Sequence, residues 1–279
     1  MPNSISASEL TTYRWSFEQD VQRASELGFD GLAVWRQKLS DFGEEKGAEL
    51  LAESDLAATS LLWCGGFTGH EGCSFRESIE DAIDAIQTAS LLKAPSLIVY
   101  SGSRAGHTNS HARRLVQTAL SELAGVAAEY GVSLALKPMH PHWAHDCTFL
   151  TDLNQALELI DSVGSHWLSL ALDTYQWGDS EELLNTLDRF IPFTSVIQVA
   201  DAGPAELATW EPNRLPPSTG RLPLEAFVVR AIEAGYDGPF EIEVWGETVE
   251  GCDYDQLLRQ SYRDVRNMIA GAKRVTSTS

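Results

Sequence analysis

Four polar residues each close or nearly close a short apolar run. Lys137 ends VSLALK, Asp173 falls in LSLALDTY, Gln198 in SVIQVAD and Glu243 in FEIEVW. Carboxylates accept protons, an ammonium carries a positive charge, and an amide can serve both as donor and as acceptor. Brought together out of water, such groups either pair with one another or form a site whose proton affinities are tuned for chemistry.

Whether they meet depends on the elements that carry them. In a strand, successive side chains alternate between two faces. Leu134 and Leu136, and likewise Leu170 and Leu172, must face a helix layer, so Ser133, Ala135 and Lys137 share the opposite face, as do Ser169, Ala171 and Asp173. The same alternation sends Phe240, Ile242 and Val244 one way and Glu241 and Glu243 the other, and it places Val196 with Gln198. Four consecutive strands therefore offer polar groups to one interior, at or near their carboxyl ends, where α/β barrels build active sites. Ion pairing among barrel-mouth residues is the structural alternative, and four converging residues favour a site.

Short apolar runs alternate with longer amphipathic segments along the whole chain, the pattern of βα units around a parallel sheet. Eight strands are expected: SISA (4–7), GLAVWR (31–36), ATSLLWCG (58–65), SLIVYSG (96–102), VSLALK (132–137), LSLALDTY (168–175), SVIQVAD (195–201) and FEIEVW (240–245). FEQDVQRASELG, SIEDAIDAIQTASLLKA, ARRLVQTALSELAGVAAEYG, DLNQALELIDSVG and PLEAFVVRAIEAGY read as helices between them. The count matches a (β/α)₈ TIM barrel, and no Pro/Gly/Ser-rich linker divides it, so residues 1–279 read as one domain. The last helix is expected over DQLLRQSYRDVRNMIAGAK, with 272–279 a polar, frayed tail.

Composition narrows the function. With 43% hydrophobic and 22% charged residues among 279, the chain can bury a large core. Forty acidic against 20 basic residues give a net charge of −20, which argues against nucleic acid and anionic membrane surfaces as partners. The apolar runs are strand-sized, so no membrane span is expected and a cytoplasmic location follows. Cys64, Cys73, Cys147 and Cys252 form no CxxC pair and read as reduced thiols, with Cys64 a small core residue. A homo-oligomer remains open.

GVSLALKPMHP, LALDTYQW, SVIQVAD, the NR at 213–214, TGRLPLEAF and GYDGPFEIEVW together resemble the xylose isomerase-like TIM-barrel superfamily of sugar isomerases and sugar phosphate epimerases, and GFDGLAVWR fits its second strand. The resemblance implies a divalent metal, manganese or magnesium, held by a Glu after strand five, an Asp after strand six, a His or Gln after strand seven and a Glu in strand eight. Asp173, Gln198 and Glu243 match the last three, an oxygen-donor set suited to such ions. The first position is Lys137, which has no lone pair while protonated. Arg214 and His140 match positions that the resemblance assigns to substrate binding, and Gln176 stands where the family more often has His. PPSTG at 216–220 replaces a PGxG turn. The histidine cluster His140, His142 and His145 is not spaced to face one point, and the ligand density and positive charge of the DNA-repair branch are missing. Trp35, Trp63, Tyr100, Tyr175 and Trp245 at strand ends suit the apolar side of a sugar ring.

Three functions follow as expectations. The first is an isomerase or epimerase that removes a proton beside a carbonyl through an enediolate, with Glu243 as base. The stabiliser is then a metal or the Lys137 ammonium, and Lys137 can serve as a second proton carrier if burial lowers its pKa. The second is a dehydratase acting on a cyclic hydroxy-ketone, toward which Gln198 leans. The third is a sugar-binding relative without catalysis, its cleft held by a Lys137, Asp173 and Glu243 ion network. No phosphate-binding glycine loop is seen, so an unphosphorylated sugar or polyol derivative is the expected substrate.

Overall fold

The computed structural model describes residues 2–69, 72–144, 147–204 and 213–276. Its strands are β1 (Ile5–Ser8), β2 (Gly31–Trp35), β3 (Ala57–Gly65), β4 (Ser96–Tyr100), β5 (Ser133–Leu136), β6 (Leu168–Asp173), β7 (Thr194–Val199), β8 (Asp201–Ala202), β9 (Arg214–Leu215) and β10 (Phe240–Ile242). Eight of them close a parallel barrel in the order β1-β10-β7-β6-β5-β4-β3-β2, while β8 and β9 pair antiparallel outside it. The fold is the expected (β/α)₈ barrel. No helix among the described residues is long and apolar enough to cross a membrane.

Local sequence sets the helix boundaries. Ser16 accepts from the Gln19 N–H and the Gln19 side chain accepts from the Ser16 N–H, a reciprocal cap that starts the helix Phe17–Leu27, and Gly28 at φ +82° ends it. Ser74 and Glu77 repeat the device for Phe75–Leu91. The closing helix runs Tyr254–Thr276, so residues 272–276 continue it instead of forming a tail, and 277–279 lie outside the described residues.

Two apolar layers follow the alternation. Leu134, Leu136, Leu170, Leu172, Phe240, Ile242 and Val244 are buried in the layer between strands and helices, with Cys64 among them. Ala33, Leu62, Ile98, Ala135, Ala171 and Val196 fill the barrel interior. The many small residues inside match the narrow bore of an eight-stranded barrel. The run SVIQVAD divides: the barrel strand stops at Val199, and Asp201 opens the outer hairpin, its carboxylate accepting from the Gly220 N–H at 2.8 Å and the Leu222 N–H at 2.9 Å. That hairpin delivers Arg214 to the mouth.

A buried charge group ties the β1 and β2 exits to their helices. Glu9 accepts from the Trp35 N–H at 2.6 Å, and Asp20 accepts from the Thr12 hydroxyl at 2.5 Å and from the Lys38 ammonium, which also donates to the Thr12 carbonyl at 2.8 Å. Burial, and after it the charge of Asp20, holds the Glu9 carboxyl well above its ordinary 4.5, against the pull of Lys38. A raised carboxyl favours the folded state most while the unfolded chain is also protonated. That stabilisation drains away as the pH rises from about 4.5 toward the folded value. Glu9→Gln can donate to Asp20 without titrating, so urea midpoints measured from pH 5 to 8 should fall less steeply than in the parent. Parallel pH profiles would refute this assignment.

Candidate functional site

Lys137 follows β5 by one residue, its backbone N–H donating to the Val99 carbonyl at 2.9 Å, and its side chain enters the barrel mouth. The ammonium donates to the Gln198 Oε1 and lies 3.0 Å from Asp173 Oδ2 and 3.4 Å from Glu243 Oε1. Gln198 is fixed end to end, because its Nε2 donates to Glu243 Oε2 at 2.7 Å. Asp173 and Gln198 are partners in the β6–β7 register.

Arg214 closes the group from outside the barrel. Its guanidinium grips Asp173 with both terminal nitrogens, at 2.5 Å to Oδ2 and 3.2 Å to Oδ1, and approaches Glu243 Oε1 at 3.4 Å. The rings of Tyr175 and Trp245 lie 5.0 and 5.1 Å from its central carbon, a stacked arrangement suited to a planar cation. The Tyr175 N–H completes Asp173 at 3.0 Å. Lys137, Asp173, Gln198, Arg214 and Glu243 are at most 2% exposed, and two cations balance two carboxylates.

The field of this group fixes its protonation. Burial alone would lower the Lys137 pKa, but Glu243, Tyr100 and Asp173 outweigh it and the net shift is upward. The neighbouring carboxylates favour the ammonium, against the condition on which Lys137 would serve as a second proton carrier, a pKa lowered by burial. Burial pushes Asp173 up, yet Arg214 and Lys137 prevail and hold it below the usual carboxylate range. Deeper in the barrel, Glu241 accepts from the Thr59 and Ser60 hydroxyls at 2.8 and 2.7 Å, and burial raises it to about 7.

The remaining expected residues stand apart. Gln176 is buried, and its Oε1 accepts from the His140 backbone N–H at 2.9 Å, which pins the loop after β5. The exposed His140 ring accepts from the His142 N–H at 3.2 Å, and its pKa is drawn down by partial burial. His145 lies outside the described residues. Alternation could not find the Arg214–Asp173 contact, because Arg214 sits on a hairpin beyond the barrel; the NR at 213–214 was its signal. Above the group, Trp35, Tyr100 and Trp245 are half-buried and Trp63 is 41% exposed, its ring edge-on to Tyr100 at 5.9 Å.

The residues do not fit the divalent metal that the resemblance implies. The lone pairs of Asp173, Gln198 and Glu243 point at two resident cations, so a third cation would enter a buried group already in balance. Among the described residues, no group of three His, Cys, Asp or Glu is placed to hold a metal.

The family model of the xylose isomerase-like TIM barrel matches residues 21–268. The chain belongs to this family. A fructoselysine 3-epimerase of Shigella flexneri is 25% identical over 247 residues, 83% of this chain and 86% of that protein. An inosose isomerase of Halalkalibacterium halodurans is 26% identical over 195 residues, 68% of this chain and 66% of the relative. In structure, the IolI protein solved with a zinc atom superposes with a TM-score of 0.83 at 17% identity, covering 96% of this chain and 99% of that one.

Removing Lys137 should leave the two carboxylates with Arg214 alone. Lys137→Met is expected to lower unfolding free energy by about 3–5 kcal/mol, as when one partner of a buried ion group is deleted. Adding Glu243→Gln in the same chain should recover part of the loss. Urea denaturation at neutral pH measures both, and a loss below about 1 kcal/mol, the scale of a surface pair, would show that the lysine holds nothing together.

Proposed function

We propose that this protein is an isomerase or epimerase acting on an unphosphorylated sugar or polyol derivative by proton removal beside a carbonyl. The observation that carries the reading is the unequal grip on Glu243: Oε2 is held at 2.7 Å by Gln198, whereas among the described residues Oε1 has two long contacts, 3.4 Å to each cation. The long contacts are the ones a substrate replaces most cheaply. A carbonyl compound entering between the aromatic side chains takes up a Lys137 N–H on its oxygen, and Glu243 Oε1 turns to the adjacent C–H.

Glu243 then takes the proton, the C–H electron pair forms the carbon–carbon double bond, and the negative charge on oxygen rests against the Lys137 ammonium. Return of the proton to the neighbouring carbon, with the enediolate's hydroxyl proton passing to the oxygen that carried the charge, gives an isomer, and delivery of a proton from water to the opposite face of the same carbon gives an epimer. Asp173, kept anionic by Arg214 and Lys137, holds both cations in place. The names of the epimerase and isomerase relatives support the class of reaction.

A second reading has its own observation. All five residues of the group are buried and paired with one another, which is also what a sugar-binding relative without catalysis would show. Incubation with ketoses, inososes and their epimers in D₂O separates the two. The enzyme should place deuterium on the carbon beside the carbonyl, read by NMR, and Glu243→Gln should slow this by roughly 10²–10⁴-fold while far-UV circular dichroism stays unchanged. A product lighter by one water would assign the dehydratase outcome, and saturable sugar binding without exchange would assign the non-catalytic one.

A further inference from the structure

We infer that the mouth of this barrel is built to work without a metal: the Lys137 ammonium stands at the station of a divalent ion, and Arg214 carries the second positive charge. The inference concerns the architecture of the group and holds whatever reaction takes place there.

Oxygens from β6, from β7 and from the residue following β10 meet at one nitrogen, with Asp173 at 3.0 Å, Glu243 at 3.4 Å and Gln198 also accepting. Magnesium demands oxygen ligands at about 2.0–2.1 Å, so these oxygens would have to move inward by roughly 1 Å to serve a metal, and the lysine would have to leave.

A glutamate with a bound divalent ion sums to one positive charge, and a lysine carries the same. Exchanging the strand-five glutamate and its ion for Lys137 therefore leaves the buried group neutral, with Lys137 and Arg214 against Asp173 and Glu243. Adding the ion on top of Lys137 would bury two uncompensated positive charges, which a protein interior does not tolerate.

The second cation cannot step aside. Arg214 is 1% exposed, grips Asp173 through both terminal nitrogens and lies between the rings of Tyr175 and Trp245. The oxygens of Asp173 are thus committed from two sides.

The test uses metal binding, not turnover, so its outcome is independent of whether a substrate has been found. The full-length protein is dialysed against chelator, then titrated with MnCl₂ and separately with ZnCl₂ while its Tm and its bound metal, by mass spectrometry after desalting, are read. The parent is expected to retain no stoichiometric metal and to show no saturable Tm shift. Lys137→Glu, which supplies a third carboxylate, is expected to take up about one equivalent and to gain Tm in a saturable way. Lys137→Gln, a neutral oxygen donor at the same place, is read beside it should the glutamate variant fail to fold, and is expected to bind as well, more weakly. One equivalent of metal on the parent, lost in Asp173→Asn, would overturn the inference. So would a folded Lys137→Glu or Lys137→Gln protein that binds no metal, because the lysine would then not be standing where an ion can sit.

Discussion

Asp173 has no exposed surface, and a carboxylate taken out of water costs several kcal/mol unless cations and hydrogen bonds replace its hydration. Every oxygen of this residue is accounted for: Oδ1 by the Tyr175 N–H and Arg214, Oδ2 by Arg214 and Lys137. Satisfying it dictates much of the surrounding architecture. Strand β5 must end one residue before a lysine, the chain after β7 must leave the barrel to form a hairpin, and that hairpin must return an arginine across the mouth. Glu243 enters the same balance from the residue after β10, and Gln198 on β7, between β10 and β6, bridges the two by presenting oxygen to the lysine and nitrogen to the glutamate.

The aromatic residues around the mouth act on this electrostatic arrangement rather than beside it. Tyr175 and Trp245 hold the guanidinium plane, and Tyr100 lies with its ring centre 5.7 Å from the lysine nitrogen. Their bulk excludes water from the ion group, and an ion pair in a drier medium is stronger. Two donors at the mouth, Arg214 Nε and Trp245 Nε1, are buried and bond to no protein atom among the described residues. Donors in that state are satisfied by water or by the oxygen of a bound molecule.

The barrel and the inward set were legible because both rest on a period of two. Leucines at 134, 136, 170 and 172 fix the outer face of their strands, and Lys137 and Asp173 follow on the other face without further information. Two kinds of feature escaped. Arg214 lies outside the barrel sheet, where no period constrains its direction, so its grip on Asp173 depends on the length and path of a loop. The Glu9, Asp20 and Lys38 group joins a strand exit to two different helices, and no local pattern links residues 9, 20 and 38. Gln176 illustrates a third limit. Its place in the chain matches a site position, but its amide oxygen holds the His140 backbone, a matter of one hydrogen bond that residue type does not reveal.

A lysine and a divalent ion with its glutamate carry the same net charge, yet the ammonium and the bare ion are not equal in strength. Two positive charges about 2.1 Å from a substrate oxygen exert a Coulomb attraction roughly threefold larger than one charge at about 2.9 Å in the same medium. A site that relies on Lys137 must recover that difference elsewhere. The second cation contributes, since Arg214 reaches the same Glu243 oxygen as Lys137, at the same 3.4 Å. Burial of the group adds to this, because the attraction scales inversely with the effective dielectric, and the half-buried Trp35, Tyr100 and Trp245 limit solvent access at the mouth. In the reaction proposed above, the remainder falls on the substrate, whose C–H bond must already be acidic, as it is beside a ketone flanked by hydroxyl-bearing carbons. Under the proposed reaction, the chemistry open to the site is thus set by how far two fixed organic cations in a buried group can do the work of one inorganic ion.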